Sequence, residues 1–99
     1  MITSKQRAYL RKLANTTEPI FQIGKSGITE ELINQLSLTL EARELIKIHI
    51  LETAMLDTKI CCNELARILE AEPIQAIGSK AVIYKKAEKP KNRKIELPR

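Results

Sequence analysis

The stretch Pro19-Ile20-Phe21-Gln22-Ile23-Gly24-Lys25-Ser26-Gly27 joins a short apolar run to the start of a helix at Thr29. The run from Pro19 to Ile23 is bounded by turn residues, which predicts a buried strand. Glycine has no Cβ and accepts positive φ, so residues 24–27 can turn sharply and direct backbone N–H groups toward an anion. Lys25 adds a mobile positive charge. The stretch therefore predicts a strand, a loop suited to phosphate contact, and a helix.

Helices are predicted before and after this stretch. Thr3 and Gln6 have the spacing of a capping box, and the apolar residues that follow recur at helical spacing, which predicts a first helix over residues 4–15. Thr29 is placed to cap a second helix. A third helix is predicted from residue 57 or 58 to residue 71, with Cys61 on its buried side.

The remaining strands follow from alternation and turn residues. Residues 45–51 alternate between apolar and polar, and strands at 74–78 and 81–85 flank a tight turn. Helical crossovers favour parallel neighbours among the first three strands, whereas the hairpin makes the last strand antiparallel to the third. The predicted fold is α/β in a two-layer α+β arrangement, in the order αβαβαββ. It has a mixed four-stranded sheet with helices mainly on one face.

Length and composition predict one domain in the cytoplasm. A chain of 99 residues with 43% hydrophobic content fits a single core, assigned to residues 1–86. Residues 87–99 are basic and poor in apolar side chains, which predicts a flexible C-terminal tail. No apolar stretch is long enough to span a bilayer or to form a secretory signal, and the adjacent Cys61 and Cys62 suit a reducing compartment.

The net charge of +5 is unevenly distributed along the chain. Residues 1–27 carry five bases and one acid, residues 28–84 are acidic overall, and the segment from residue 85 is strongly basic. This predicts an oriented basic surface for a polyanion. Glu30 and Glu31 would repel a phosphate at the second helix terminus, so the contact is expected from the loop. The first helix adds cations on its outer side: Lys5, Arg7, Arg11 and Lys12.

The residues give no sign of catalysis. A nucleotide-hydrolase phosphate loop requires a glycine at position 19, but that residue is proline, which also lacks an N–H donor. His49 has no ligand spacing to Cys, Asp or Glu and is interpreted as a surface residue of its strand. We therefore expect no enzyme activity, no cofactor, no metal and no small-molecule substrate.

Longer motifs resemble the bacterial YhbY family of stand-alone CRM domains, the chloroplast RNA splicing and ribosome maturation module. They are Thr3-Ser4-Lys5-Gln6-Arg7, residues 19–29, Glu44-Leu45-Ile46-Lys47-Ile48, Gln75-Ala76-Ile77-Gly78-Ser79 and the ending Lys94-Ile95-Glu96-Leu97-Pro98. The resemblance implies a sheet similar to that in the C-terminal domain of translation initiation factor three. It also implies RNA binding and association with ribosomal RNA in precursors of the large subunit.

The resemblance assigns RNA contact to the Gly-x-x-Gly loop and to the basic first helix, which are expected to form one surface. The residues are Gly24, Lys25, Ser26, Gly27, Lys5, Arg7, Arg11 and Lys12. Two alternatives stay open. One is a protein-interaction adaptor in ribosome assembly, for which RNA contact is secondary, and the other is a nucleotide-using enzyme. Sequence does not predict the oligomeric state.

Overall fold

A computed structural model describes residues 2–99 and contains three helices and four strands. In chain order these are α1 (Ser4–Ala14), β1 (Pro19–Ile23), α2 (Glu30–Arg43), β2 (Leu45–Ile50), α3 (Thr58–Leu69), β3 (Glu72–Ile77) and β4 (Lys80–Tyr84). Short 3-10 turns occupy Glu52–Ala54 and Pro90–Asn92. The order αβαβαββ and the α+β class predicted from sequence are confirmed.

The helix starts depend on the capping side chains identified in the sequence. Thr3 Oγ1 accepts from the backbone N–H of Gln6 at 3.1 Å, and Gln6 Oε1 accepts from the N–H of Thr3 at 3.0 Å, which completes the capping box. Thr29 accepts in the same way from Leu32 at 3.0 Å. These bonds satisfy N–H groups that have no partner within the helix.

Several predicted element ends are wrong by one or two residues. Helix α3 ends at Leu69, two residues early, because Glu70 adopts a left-handed conformation with φ 54°. Strand β3 starts at Glu72, before the predicted residue 74, and includes Pro73. Proline is tolerated there because β3 is an edge strand whose pairing with β4 is irregular beside Pro73. Strand β4 is shifted by one residue from its predicted range.

The four strands form one mixed sheet in the order β1-β2-β4-β3. Strands β1 and β2 are parallel neighbours, and the hairpin makes β3 and β4 antiparallel, as predicted. However, β4 lies between β2 and β3 and is antiparallel to both. Strands β2 and β3 are therefore not neighbours, although a helix connects them.

The helices lie on both faces of the sheet. Helices α2 and α3 cover the face that carries Ile46, Ile48 and Ile83, which forms the larger core cluster. Helix α1 packs on the opposite face, where its Leu10 and Ala14 join a cluster with strand residues such as Val82. Two of the three helices thus share a face, and the first helix covers part of the other.

The C-terminal segment, residues 87–99, is held against the domain, where the sequence predicted a flexible tail. Ile95 and Leu97 pack on the α1 cluster. The fully buried carboxylate of Glu44 accepts backbone N–H groups from Ala87 at 2.8 Å, Lys94 at 2.7 Å and Ile95 at 2.9 Å. These partners are remote in sequence and no local pattern indicates them. The division of the chain at residue 86 stays a prediction.

Glu44 lies at the junction between α2 and β2 with an unusual backbone. Its φ is 67°, in the range that glycine prefers, and a non-glycine residue there is strained by about 1–3 kcal/mol. Neighbouring Glu41 accepts further N–H groups from Glu88 at 2.8 Å and Lys89 at 3.2 Å. The two carboxylates together fix the path of the C-terminal segment beside the start of β2.

Candidate nucleic-acid interface

The loop at residues 24–27 is a tight turn at the end of β1. The N–H of Gly27 donates to the carbonyl of Gly24 at 2.9 Å, and Gly27 has φ 67°, which is costly for a side-chain-bearing residue. Before the turn, the carbonyl of Ile23 accepts from the N–H of Leu51 at 2.8 Å, which fixes the start of the loop to the sheet. Lys25 and Ser26 are exposed at the tip.

A shallow groove of about 310 Å³ lies beside this loop. It is lined by Gln22 together with residues of α2 that include Glu31 and Gln35. The carboxylate of Glu31 is unfavourable for a phosphate, as the sequence indicated for the helix terminus. An anion at Lys25 is therefore favoured at a position away from the Glu31 carboxylate.

The four cations of α1 have different environments. Arg7 donates to the carbonyl of Pro73 and forms an ion pair with Glu72 at 3.6 Å, so it connects α1 to β3. Lys5 Nζ donates to the carbonyl of Arg99 at 3.2 Å. Arg11 and Lys12 are exposed in the last turn of the helix, and neither forms an ion pair within residues 2–99. These two side chains are the ones most available to a ligand.

The loop and α1 lie at opposite ends of β1. Helix α1 ends before the strand begins at Pro19, whereas the loop follows the strand's last residue, Ile23. At about 3.3 Å per residue, the strand separates them by roughly 13 Å. They can act on one ligand only across the sheet face that lies between them.

The two cysteines are unsuited to nucleophilic chemistry. Both are free and buried in the core of α3. Burial raises the pKa of the Cys62 thiol to about 11, and it also raises the pKa of Cys61. A protonated, enclosed thiol is a poor nucleophile and metal ligand. Within residues 2–99 no group of His, Cys, Asp and Glu is arranged to hold a metal ion.

No helix among residues 2–99 combines the length and apolar character needed to cross a bilayer. The features available to a ligand are an exposed glycine-rich turn at the end of β1 and two exposed cations, Arg11 and Lys12, in the last turn of α1. Both features suit contact with a phosphate backbone.

Two relatives of this chain carry names that describe RNA binding. A Bacillus subtilis (strain 168) protein named "Probable RNA-binding protein YqeI" is 40% identical, over 99% of this chain and all of the relative. A Haemophilus influenzae protein named "RNA-binding protein" is 30% identical, over 99% of this chain and 96% of the relative.

A solved structure shows the same fold. The solution structure of a hypothetical Staphylococcus aureus protein, described as a candidate RNA binding protein, superimposes with a TM-score of 0.77. It is 44% identical and covers 99% of this chain and 100% of that protein. Residues 2–85 match the CRS1 / YhbY (CRM) domain. The resemblance seen in the sequence motifs is thus confirmed, and the chain belongs to the CRS1/YhbY (CRM) domain family.

Proposed function

We propose that this protein binds RNA, with the loop at residues 24–27 as the principal phosphate contact and α1 as a second contact. The observation that carries the proposal is the exposed turn with Lys25 at its tip and Gly27 at φ 67°, held on the end of β1. Such a turn offers backbone N–H groups and a cation to the same phosphate. The RNA-binding names of the similar proteins support this assignment.

The RNA is ribosomal RNA in precursors of the large subunit, and the protein acts in the cytoplasm as a binding protein with no catalytic step. The motifs shared with the YhbY family support this finer assignment. Of the cations assigned to the interface, Arg11 and Lys12 are the helix residues we expect to contact RNA. Arg7 and Lys5 have the additional role of fixing α1 to β3 and to the C-terminus, through Glu72 and Arg99.

Replacing Lys25 by Ala tests the loop. If one phosphate contact is lost, the slope of log K against log salt becomes shallower by about 0.7–0.9. When counterion release alone drives the contact, affinity falls about five- to eightfold at 0.1 M salt. The measurement is fluorescence anisotropy with labelled fragments of large-subunit ribosomal RNA over a range of salt concentrations.

Lys59→Ala is the matched control, because Lys59 is an exposed lysine on α3, outside the proposed interface. It should leave the slope unchanged. Equal slopes for Lys25→Ala and the wild type, with an unchanged circular dichroism spectrum, would exclude the loop from the interface. Crosslinking in cells followed by mapping of the RNA tests the ribosomal assignment, and crosslinks confined to other RNAs would contradict it.

A further inference from the structure

Helix α1 covers its sheet face at one end only, and the other end is the uncovered half. Helix α1 and the C-terminal segment pack on Leu45, Val82 and Tyr84, where β2 begins and β4 ends. At the other end of these strands the same face continues without a helix above it. Because side chains alternate along a strand, Lys47 and His49 follow Leu45 on this side. The uncovered half lies between α1 and the loop.

One row of paired residues crosses this uncovered half. Gln22 of β1 pairs with His49 of β2, His49 pairs with Lys80 of β4, and Lys80 pairs with Ile77 of β3. Three inter-strand spacings give the row a length of about 14 Å. Gln22 stands two residues before Gly24, so the row begins at the groove beside the loop. We call these four residues, together with Lys47, the sheet row.

Apart from the exposed Ile77, the sheet row is polar and basic, and it contains no acid. Lys47, His49 and Lys80 are half-buried, and neither lysine forms an ion pair within residues 2–99. The acidic strand residue on this face, Glu72, is at the covered end and is paired with Arg7. Two lysines without an ion pair on a rigid surface create a positive potential that favours an anionic ligand.

The side-chain types in the sheet row determine which part of an RNA they can contact. No aromatic side chain belongs to the row, and Phe21 of β1 packs against the opposite core. Bases therefore find no stacking platform of the kind that RNA-recognition sheets present. Lysine, histidine and glutamine side chains are instead suited to phosphate and ribose oxygens, which specify position more than sequence.

We infer that the sheet row is a second RNA contact, which carries the sugar–phosphate backbone from the loop at residues 24–27 across the sheet toward Arg11 and Lys12. The inference rests on the proposed RNA-binding function. It explains how two basic elements at opposite ends of β1 bind one RNA. From the groove beside the loop, which Gln22 and Glu31 both line, the RNA continues onto the sheet face and so leaves α2.

The test is the double variant Lys47→Ala/Lys80→Ala, with a short single-stranded RNA and a duplex RNA as separate probes. Loss of two phosphate contacts makes the salt slope shallower by about 1.4–1.8 and lowers affinity about 25- to 60-fold at 0.1 M salt. The double variant Lys59→Ala/Lys91→Ala removes two exposed lysines outside the sheet row, neither of which forms an ion pair within residues 2–99, and should leave both quantities near wild type.

A second pair of variants guards against loss of folding in the first. Gln22 is exposed, and Gln22→Glu adds a carboxylate to the row without removing a core side chain. It should weaken binding, whereas Asn63→Asp on α3 should not. If Lys25→Ala weakens binding but neither sheet-row variant does, the inference is overturned and the face is left for an acidic protein partner. Salt-independent or absent binding by the wild type would instead refute the proposed function itself.

Discussion

Replacing Glu44 by Gln preserves the side-chain volume and is expected to weaken the attachment of the C-terminal segment to the domain. The carboxylate accepts three backbone N–H groups, two at Oε1 from Lys94 and Ile95 and one at Oε2 from Ala87. An amide offers one oxygen only. If the amide oxygen of the Glu44→Gln side chain takes the place of Oε1, it keeps the bonds from Lys94 and Ile95. The amide NH₂ group then faces the N–H of Ala87, and this buried donor is left without a partner.

The size of the effect follows from these three bonds. An unsatisfied buried donor costs about 1–3 kcal/mol, and bonds to a charged acceptor exceed neutral ones by roughly 1 kcal/mol each. Relief from burying a charge offsets part of this loss. The free energy of unfolding should therefore fall by about 2–4 kcal/mol. For a domain of this size, that lowers the unfolding midpoint by at least about 8 °C.

The effect should depend on pH. Burial acts to raise the pKa of the Glu44 carboxyl, but the N–H donors of Ala87, Ile95 and Lys94 and the charge of Arg93 outweigh it, so the net pKa is lowered. In the unfolded chain the Glu44 carboxyl has its ordinary pKa of about 4.3, so it takes up a proton at a higher pH than in the folded protein. The stability from Glu44 is fully present above that pH and is lost as pH falls through the lower folded pKa.

Thermal unfolding followed by circular dichroism, with amide hydrogen exchange at Lys94 and Ile95, measures the prediction. Glu41→Gln is the control, because Glu41 is less buried and water can replace the bonds that it makes. It should shift the midpoint less. An unchanged midpoint for Glu44→Gln at neutral pH, with Lys94 and Ile95 still protected from exchange, would refute the reasoning.

Two further predictions concern the loop and the core. In urea unfolding, Gly27→Ala should lower the free energy of unfolding by about 1–2 kcal/mol, because the φ of 67° at this position is unfavourable for alanine. Gly24→Ala is the control and should leave the free energy of unfolding nearly unchanged, because its Cβ would lie at an ordinary 3.5 Å from Leu51 Cδ1. Cys61 and Cys62 should resist alkylation by iodoacetamide at pH 8 in the native protein, because burial raises the pKa of both thiols. Both should react once urea unfolds the protein. Rapid alkylation of the native protein would contradict this burial.

The candidate site was only partly predictable from sequence. The loop at residues 24–27 stands out because glycine and turn chemistry are local. Alternation placed Lys47 and His49 on the more polar face of their strand, but it could not show which half of that face α1 leaves uncovered. Lys80 was assigned to a turn, so its pairing with His49 was unforeseen. The sheet row can be recognised only when the strand order and register are known.

The sequence by itself determined the number, type and order of the helices and strands. Caps such as Thr3 and Thr29, the helical and alternating periodicities and the glycine loop act over a few residues, so their physics is contained in short stretches. Element ends varied by one or two residues because they depend on packing as well as on local preference. Strand β3 could include Pro73 because an edge position does not require every N–H.

Only the tertiary structure decided which elements meet. The insertion of β4 between β2 and β3, the position of α1 on the second face, and the attachment of residues 87–99 all join remote parts of the chain. Glu44 and Ile95 are 51 residues apart, and no local pattern predicts their hydrogen bond. Buried carboxylates and backbone N–H groups require hydrogen-bond partners, and apolar faces require burial. Only the complete fold brings the partners for all of these groups together.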